Sequence, residues 1–237
     1  MKSWSTILCA PLFAGCVVTD VGNPDIEASV HFEPATRTSA LELGDGTSFD
    51  AIWMQFHRVR LIEEDACNDD APVDFAEPVA VELLEARTIP DRVAFEQPQT
   101  GYCRLGMLFQ PDAVVDGAPP ELATSSLWMS GQRGDGTAIE VRAGFDDKLR
   151  LDLLDTLRPS EDVSLVVTFD TLTWFEDDAF TDADVTDATI VVSETQNTAI
   201  HDHLRTAVRR SAALFLDADR DGTRDEASAP IGEGVVE

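Results

Sequence analysis

Apolar and polar residues alternate over short stretches along most of the chain, a pattern typical of β-strands that bury one face. The stretch from Ile26 to Phe32 is one example, and Gly, Pro and Asp residues cluster between such stretches. The alternation predicts strands at Ile26 to Phe32, Phe49 to Ile62, Val79 to Leu84, Tyr102 to Phe109, Ser125 to Met129, Thr137 to Val141, Lys148 to Leu154, Val163 to Phe169, Thr189 to Ser193 and Ala212 to Leu216. Many short strands separated by turn residues indicate a mainly β fold, either an antiparallel β-sandwich or a barrel-like domain.

The longest of these stretches, Phe49 to Ile62, changes phase near its middle. Ile52 and Phe56 belong to one phase of the alternation, whereas Val59 belongs to the other. A β-bulge inserts one residue into a strand and so shifts the phase of the side chains that follow it. The pattern therefore predicts a bulge near Phe56 and His57.

One segment has helical rather than strand periodicity. Its apolar residues are spaced so that they fall on one face of a helix: Ile200, Leu204, Ala207 and Val208. The range Asn197 to Arg210 is therefore predicted to be a single C-terminal amphipathic helix. Asn197 is a suitable N-cap, and Arg209 and Arg210 favour the negative end of the helix dipole.

The N-terminus has the layout of a secretory signal peptide. Lys2 precedes an apolar stretch from Ile7 to Phe13, which is too short to cross a bilayer. The residues Leu12 to Cys16 (Leu-Phe-Ala-Gly-Cys) resemble the bacterial lipobox, in which an aliphatic residue and two small residues precede a lipidated cysteine. The resemblance implies cleavage before Cys16 and lipidation of its side chain. The alternative is an ordinary signal peptide with a cysteine near the cleavage point.

The lipobox resemblance divides the chain into a signal peptide at 1–15, a lipidated cysteine with a short tether at 16–25, and one β-rich domain at 26–237. Lipoproteins that carry Val rather than Asp after the cysteine, as at Val17, tend to be sorted to the outer membrane. Two or three acyl chains hold a mature lipoprotein durably on a membrane. We therefore expect a protein of the cell envelope, attached to the outer membrane through its lipid anchor.

Three short segments of the predicted domain resemble a family of uncharacterised bacterial surface lipoproteins, labelled domain of unknown function 4382. In that family a strand ending in Val-Asp-Leu-Leu is followed by a Gly-x-Tyr strand and later by a strand ending in Phe-Asp. The matching segments are Glu82 to Leu84, Gly101-Tyr102 and Phe169-Asp170, within the range Phe49 to Asp170. The resemblance implies a β-sandwich-like body at the cell surface and no catalytic residues.

Acidic residues dominate the composition, with 45 Asp and Glu against 17 Lys and Arg and a net charge of −28. Nucleic acids and anionic lipid headgroups are densely negative, so a chain with this charge repels them. It attracts divalent cations and remains soluble at high ionic strength, where screening weakens self-repulsion. Either adaptation to a salty habitat or simple compositional bias would explain this charge.

Cys67 and Cys103 are the two cysteines of the predicted domain, because Cys9 and Cys16 lie at the N-terminus. In an oxidising compartment two such cysteines usually bond to each other. We therefore predict a disulfide between Cys67 and Cys103, with two free buried thiols as the alternative.

Carboxylates at alternating positions near the C-terminus have the spacing of a calcium-binding loop. Hard cations bind oxygen ligands, and a glycine at the sixth position lets a loop turn sharply around such an ion. The predicted calcium ligands are Asp217, Asp219, Asp221, Thr223 through its carbonyl, Asp225 and Glu226. Arg224 and Ser228 stand at the eighth and twelfth positions, so the loop resembles those of extracellular β-proteins rather than an EF-hand. The alternative is a solvated acidic turn.

Other groups of residues carry weaker indications of chemistry. His201 and His203 are two positions apart, so on a helix they point about 200° away from each other and do not share a metal ion. Trp53, Trp128 and Trp174 would suit a carbohydrate or peptide groove, although aromatic residues in strands are usually core. Arg133-Gly134-Asp135 lies in a predicted hairpin turn, where Gly and Asp are favoured for backbone reasons.

Catalytic motifs are missing from the sequence: it contains no nucleophile elbow, phosphate-binding loop or zinc-protease motif. Asp177, Asp178, Asp182 and Asp184 are interpreted as solvated loop acids. These patterns favour a non-enzymatic surface module with a binding or structural role at the envelope, stabilised by calcium where the acidic loop binds it. Its protein or carbohydrate ligand is not identified by the sequence. A periplasmic transition-metal-handling protein that uses the histidines is the alternative, and a hydrolase is the third interpretation.

Overall fold

The computed structural model describes residues 25–67, 77–111, 115–225 and 227–235. Within these ranges the chain forms strands and one α-helix, α1 (Thr198–Arg210). The strands are β1 (Ile26–Pro34), β2 (Leu41–Glu42), β3 (Ser48–Phe56), β4 (Arg58–Glu63), β5 (Val79–Glu82), β6 (Arg87–Ile89), β7 (Val93–Gln97), β8 (Tyr102–Leu108), β9 (Leu127–Gln132), β10 (Ala138–Ala143), β11 (Lys148–Leu157), β12 (Val163–Phe169), β13 (Val185–Thr186), β14 (Thr189–Val192), β15 (Ala212–Leu216) and β16 (Gly232–Gly234).

The strands form two sheets, which confirms the predicted mainly β sandwich or barrel-like fold with one helix. The first sheet has the order β4-β8-β11-β16-β15-β12-β1-β7. The second has the order β13-β14-β10-β9-β3-β5-β6, with β2 paired to β3. None of the described residues belongs to a helix that is long and apolar enough to cross a membrane.

Two strand pairs are parallel, although the sequence pattern favoured an antiparallel arrangement. β1 pairs with β12 and β10 pairs with β14 in parallel, whereas the other ladders are antiparallel. Parallel neighbours must be joined by a long connection, and here β1 and β12 are separated by most of the chain. Side-chain alternation is the same in both arrangements, so it does not reveal strand direction.

The phase change predicted as a bulge at Phe56 and His57 is instead a crossing between the two sheets. β3 lies in the second sheet, and the chain continues past His57 as β4 in the first sheet. Phe56 and Val59 both point into the core, but they reach it from different sheets. The irregularity within β3 itself lies between Phe49 and Ala51.

Apolar side chains from the two sheets meet in a large core with aromatic rings at its centre. Phe56 stacks on Phe32 with 5.4 Å between ring centroids and lies 5.0 Å from the ring of Phe109. Trp174 is also fully buried there. Complete burial of a large apolar side chain contributes about 1.5–3 kcal/mol, so this core is the main source of stability.

The helix α1 buries the predicted apolar face, but Asn197 does not cap it. Asn197 adopts a left-handed conformation with φ of 48°, and its side chain makes no capping hydrogen bond. Its side-chain amide instead forms hydrogen bonds with the backbone of Asp184 in the preceding loop and of Val191 in β14. At the other end of the helix, Arg205 and Arg209 form ion pairs with Asp147.

Cys67 and Cys103 lie at bonding distance, as predicted, with 6.4 Å between their Cα atoms. This separation is within the usual range for a disulfide. Cys103 belongs to β8, and Cys67 follows a short 3-10 turn after β4. The bond therefore fastens the end of the edge strand β4 to its neighbour β8.

Candidate metal site

The acidic loop at 217–225 folds back over the outer face of β12 and β1. Leu165 and Val167 of β12 point into the core, so Ser164 and Thr168 lie on the opposite face. Both are nevertheless buried, as is Glu33 on the same face of β1. The acidic loop helps to cover these residues: after β15 ends at Leu216, the Asp217 side chain accepts a hydrogen bond from Ser164 of β12, and the N–H of Arg224 donates to Glu33 of β1.

Asp217 is the buried anchor of the acidic loop, with 2% of its surface exposed. Ser164 donates its hydroxyl to Asp217 Oδ2 at 2.7 Å, and the N–H of Gly222 donates to the same oxygen at 3.0 Å. The N–H of Arg220 donates to Oδ1 at 2.8 Å. Desolvation raises the pKa of Asp217, but these donors outweigh it and the pKa is lowered. The carboxylate is therefore held in its charged form.

Three carboxylates converge beside this anchor. One oxygen from each of Asp217, Asp219 and Asp221 lies within 4.8 Å of the other two. Asp219 accepts the N–H of Asp221 at 3.3 Å, and Asp221 accepts the N–H of Thr223 at 2.8 Å. This is the only such group of three potential ligands within the ranges 25–67, 77–111, 115–225 and 227–235.

Asp219 experiences the repulsion of its acidic neighbours. The hydrogen bond from the N–H of Asp221 lowers the pKa of Asp219. Desolvation and the nearby carboxylates of Asp221, Asp217 and Asp225 raise it and prevail, so the pKa of Asp219 is raised. A bound cation would remove this repulsion, because opposite charge favours the ionised form of every carboxylate around it.

Gly222 makes the sharp turn at the sixth position of the loop. Its φ of +83° lies in the left-handed region, which a residue with a Cβ rarely adopts. A Cβ at this position would also lie 3.0 Å from Nδ1 of His31. Glycine therefore serves two purposes here: it turns the loop, and it lets the loop pack closely on β1.

The two arginines of the loop are bound elsewhere. Arg220 donates to the carbonyl of Asp162 at 2.6 Å and pairs with Glu161 at 3.5 Å. Arg224 donates to the carbonyl of Ala35 at 3.3 Å, and its guanidinium lies 5.2 Å from the centre of the Phe215 ring. Neither guanidinium is bonded to the three carboxylates.

The remaining predicted ligands lie at the end of the loop. Thr223 binds Asp221 through its N–H and its hydroxyl. Asp225 lies outside the group of three, although its charge is close enough to raise the pKa of Asp219. The carbonyl of Asp225 accepts the N–H of Ser228 at 3.0 Å and closes a further turn. Glu226 lies outside the described residues, as does Cys16.

No known protein family matches this chain, and no curated protein or solved structure does either.

Within the described ranges, the four histidines do not converge on a common site. His31 lies beside Gly222, and His57 lies where the chain crosses between sheets. His201 is buried against Phe145, with 6.0 Å between ring centres, whereas His203 on the same helix is exposed. In the described part of the chain, no group of three converging ligands includes a histidine.

The acids considered for catalysis are also dispersed. Asp177 and Asp178 are exposed in the loop before β13. Among buried carboxylates, Glu82 accepts the N–H groups of Ile52 and Glu85, and desolvation raises its pKa. Glu33 pairs with Arg37 at 2.8 Å. Each buried acid thus has structural partners.

Of the three tryptophans predicted as candidates for a groove, Trp53 and Trp128 lie opposite each other on β3 and β9, and only Trp174 is apart from them. Trp174 belongs to the core. Trp53 is covered on the outer face of the second sheet, in a small cluster with Ala80 and Leu122. Arg87 also lies over its ring, 4.8 Å from the centre. Trp128 is half-buried and donates its indole N–H to Glu140 at 3.3 Å.

Arg133-Gly134-Asp135 forms the predicted turn between β9 and β10. Arg133 pairs with Asp135 at 2.7 Å and donates to the carbonyl of Phe180 at 3.1 Å. The hydrogen bond from Arg133 lowers the pKa of Asp135. Both charged groups of the tripeptide are therefore bonded to each other.

Sequence reasoning missed the residues that hold the acidic loop from other strands, chiefly Ser164 and Glu33. Glu33 accepts the N–H of Arg224 at 3.0 Å. The sequence gives no signal of this role, since a polar residue that alternates with core residues normally faces solvent. Only the fold reveals that a loop covers these residues.

Proposed function

We propose that the protein is a non-enzymatic lipoprotein of the cell envelope, whose β-domain is a binding or structural module stabilised by calcium. The observation that carries the calcium proposal is the convergence of Asp217, Asp219 and Asp221 within 4.8 Å in a loop that turns at Gly222. Oxygen ligands from carboxylates at these positions suit a hard cation.

The arrangement of the loop supports a structural rather than a switching role for the ion. Asp217 is already fixed by Ser164 and by two N–H groups of its own loop, so little reorganisation is needed on binding. The ion would fasten the chain after β15 to the outer face of β12 and β1. Because the twelfth position is Ser228 rather than Glu, we expect a dissociation constant on the order of 10⁻⁴–10⁻³ M.

Calcium titration tests this proposal. With 10 mM calcium, the expected affinity corresponds to about 1.4–2.7 kcal/mol of added stability, because only the folded state binds. For a domain of this size that is a rise in melting temperature of about 3–10 °C. The measurement is differential scanning calorimetry of the purified protein with calcium or with a chelator.

The matched controls are two substitutions of the same kind. Asp219→Asn removes a proposed ligand and should abolish the calcium-dependent rise. Asp178→Asn removes an exposed acid from a different loop and should leave it unchanged. An equal response of both variants, or no response of the unaltered protein at 10 mM calcium, would show that the acidic loop binds no calcium.

The envelope anchor is supported by the lipobox-like residues that precede Cys16. Its test is metabolic labelling with a fatty acid in a bacterial host that processes lipoproteins. The unaltered chain should incorporate the label and partition with membranes, whereas Cys16→Ala should do neither. Cys9→Ala is the control and should be labelled normally, so labelling of Cys16→Ala would contradict the anchor.

A further inference from the structure

The strand β1 has an open edge along its C-terminal half. Its edge neighbour β7 runs antiparallel to it, and their pairing ends where Val30 lies opposite Val93. β1 itself continues to Pro34. Its last residues are paired with β12 on one side only, within the described part of the chain.

The hydrogen-bonding direction along this edge follows from one bond. The N–H of Ala35 donates to the carbonyl of Phe169 in β12 at 2.8 Å. Backbone groups of successive residues in a strand point to alternate sides, so those of Phe32 point away from β12. In the described part of the chain, no strand ladder pairs Phe32 on that side. Pro34 has no N–H to offer.

A cleft of about 400 Å³ lies beside this edge. Phe32 lines it although its side chain is buried against Phe56, so its backbone is what faces the cleft. The turn between β5 and β6, Asp91, Gly222 and Thr223 also line it. The cleft volume is within the range of small-ligand pockets.

The charges in the cleft favour a basic ligand. Arg37 is paired with Glu33 at 2.8 Å, and Arg87 lies 3.9 Å from Glu85. Asp91 is exposed and has no ion pair with any described residue. The acidic loop lines part of the cleft and adds to its negative potential.

We propose that this cleft binds an extended peptide that carries basic side chains, by adding it as a short strand to β1 at Phe32. In such β-augmentation, backbone hydrogen bonds supply affinity and side-chain contacts supply specificity. Here the N–H and carbonyl of Phe32 pair with the peptide backbone, and Asp91 pairs with a Lys or Arg of the peptide. A second copy of the chain is a poor occupant, because each copy carries a charge of −28.

This inference names a ligand class for the binding module proposed above and rests on that proposal, but it does not require calcium in the loop. The peptide-binding proposal and the calcium proposal can therefore be refuted independently of each other. Loss of the calcium response would leave peptide binding intact, and absence of peptide binding would leave a calcium-stabilised structural module.

The experiment uses three acetylated and amidated peptides: Lys-Val-Lys-Val-Lys, Glu-Val-Glu-Val-Glu, and the first sequence with its backbone amides N-methylated. Binding to the purified protein is followed by amide chemical shifts in NMR, with chelator present. The basic peptide should shift the amide signal of Phe32, and the acidic peptide should not bind. N-methylation should weaken binding at least about five-fold, since one hydrogen bond contributes about that factor.

Two variants complete the test. Asp91→Asn should weaken binding of the basic peptide several-fold, whereas Asp178→Asn, which removes an equal charge elsewhere, should not change it. Equal binding of the N-methylated peptide would reveal simple charge attraction and overturn strand addition. Shifts confined to residues away from β1, or no saturable binding of the basic peptide, would also overturn it.

Discussion

Asp217 and Asp219 are two residues apart in one loop and have opposite pKa shifts, because their surroundings differ. Asp217 is buried and receives three hydrogen bonds, which lower its pKa despite its desolvation. Asp219 receives one bond from a backbone N–H but faces other carboxylates, and its pKa is raised. The first residue therefore stabilises the loop when it is ionised, and the second opposes it.

This difference predicts opposite effects of two substitutions in calcium-free buffer at pH 7. Asp217→Ala should lower the free energy of unfolding by about 2–3 kcal/mol, since hydrogen bonds to a charged group are lost and their donors stay buried. Asp219→Asn should raise the stability, because it removes one repelling charge. Urea unfolding measures both, and stabilisation by Asp217→Ala would contradict the proposed roles.

The pKa shifts of Asp217 and Asp219 determine how these residues change the stability of the fold with pH. A lowered pKa in the folded state means that Asp217 contributes stability above its unfolded pKa of about 3.9, and that this contribution is lost as the pH falls through the folded value. The raised pKa of Asp219 acts in the opposite direction, since its protonation on acidification relieves repulsion. Asp217→Ala should therefore flatten the loss of stability between neutral and acidic pH, as measured by urea unfolding at each pH.

At the scale of single residues, the spacing of the acids predicted the three converging carboxylates, because local spacing determines which oxygens a tight loop can bring together. It did not predict Ser164, which lies 53 residues from Asp217 along the chain and meets it only in the folded sheet. Long-range partners of this kind depend on strand order, and strand order is not encoded in local periodicity.

Among the elements, the strands with clear alternation were predicted, and the shortest ones were missed. β13 has two residues and β16 has three, which is too short for a period of two to be recognised. The crossing at His57 was read as a bulge, because both features change the phase of alternation. Only packing distinguishes them, since it shows that β3 and β4 belong to different sheets.

A repeated tetrapeptide, which sequence reasoning overlooked, marks two hairpin turns. Residues 44–47 and 134–137 both read Gly-Asp-Gly-Thr. Both form hairpin turns with a glycine in the left-handed region, Gly46 and Gly136, and an aspartate that accepts the N–H of the threonine. The turns pack together, because a Cβ on Gly134 would lie 3.1 Å from the carbonyl of Asp45. The repeat thus reflects two adjacent hairpin turns that both place a glycine in the left-handed region.

The disulfide yields a prediction at the scale of elements. The bond closes a loop over a sequence separation of 36, so its removal should cost roughly 3–4 kcal/mol through the entropy of the unfolded chain. The test is urea unfolding of the Cys67→Ala, Cys103→Ala double variant. The single variant Cys67→Ala should lose as much stability as the double one, because either change breaks the same bond. A double variant as stable as the unaltered protein would show that the cysteines do not stabilise the fold as a pair.

For the whole molecule, the excess of acids sets the conditions under which the fold is stable. Many arginines are engaged in ion pairs, as Arg104 is with Asp152 and Arg209 with Asp147. A net charge of −28 nevertheless leaves most carboxylates without a basic partner, and their mutual repulsion opposes the compact state.

Screening should therefore stabilise the protein. Between 0.1 M and 1 M sodium chloride the Debye length falls from about 10 Å to about 3 Å, which suppresses repulsion between surface carboxylates. We expect the melting temperature to rise by several degrees with a chelator present, so that calcium is not responsible. Sucrose at matched osmolality is the control for preferential exclusion. A melting temperature that falls with salt would mean that attractive ion pairs outweigh repulsion.

The same charge predicts that the protein does not bind nucleic acid. Non-specific binding arises when Lys and Arg side chains neutralise phosphates and release counterions, which requires a basic surface. The 17 basic residues are outnumbered by 45 acids, and Arg37, Arg104 and Arg133 each pair with a carboxylate. Any approaching duplex would meet net repulsion, which weakens only when salt screens it. Filter binding with duplex DNA and single-stranded RNA at 0.05 and 0.15 M salt should give no retention above background. Retention that decreases with salt would contradict this prediction.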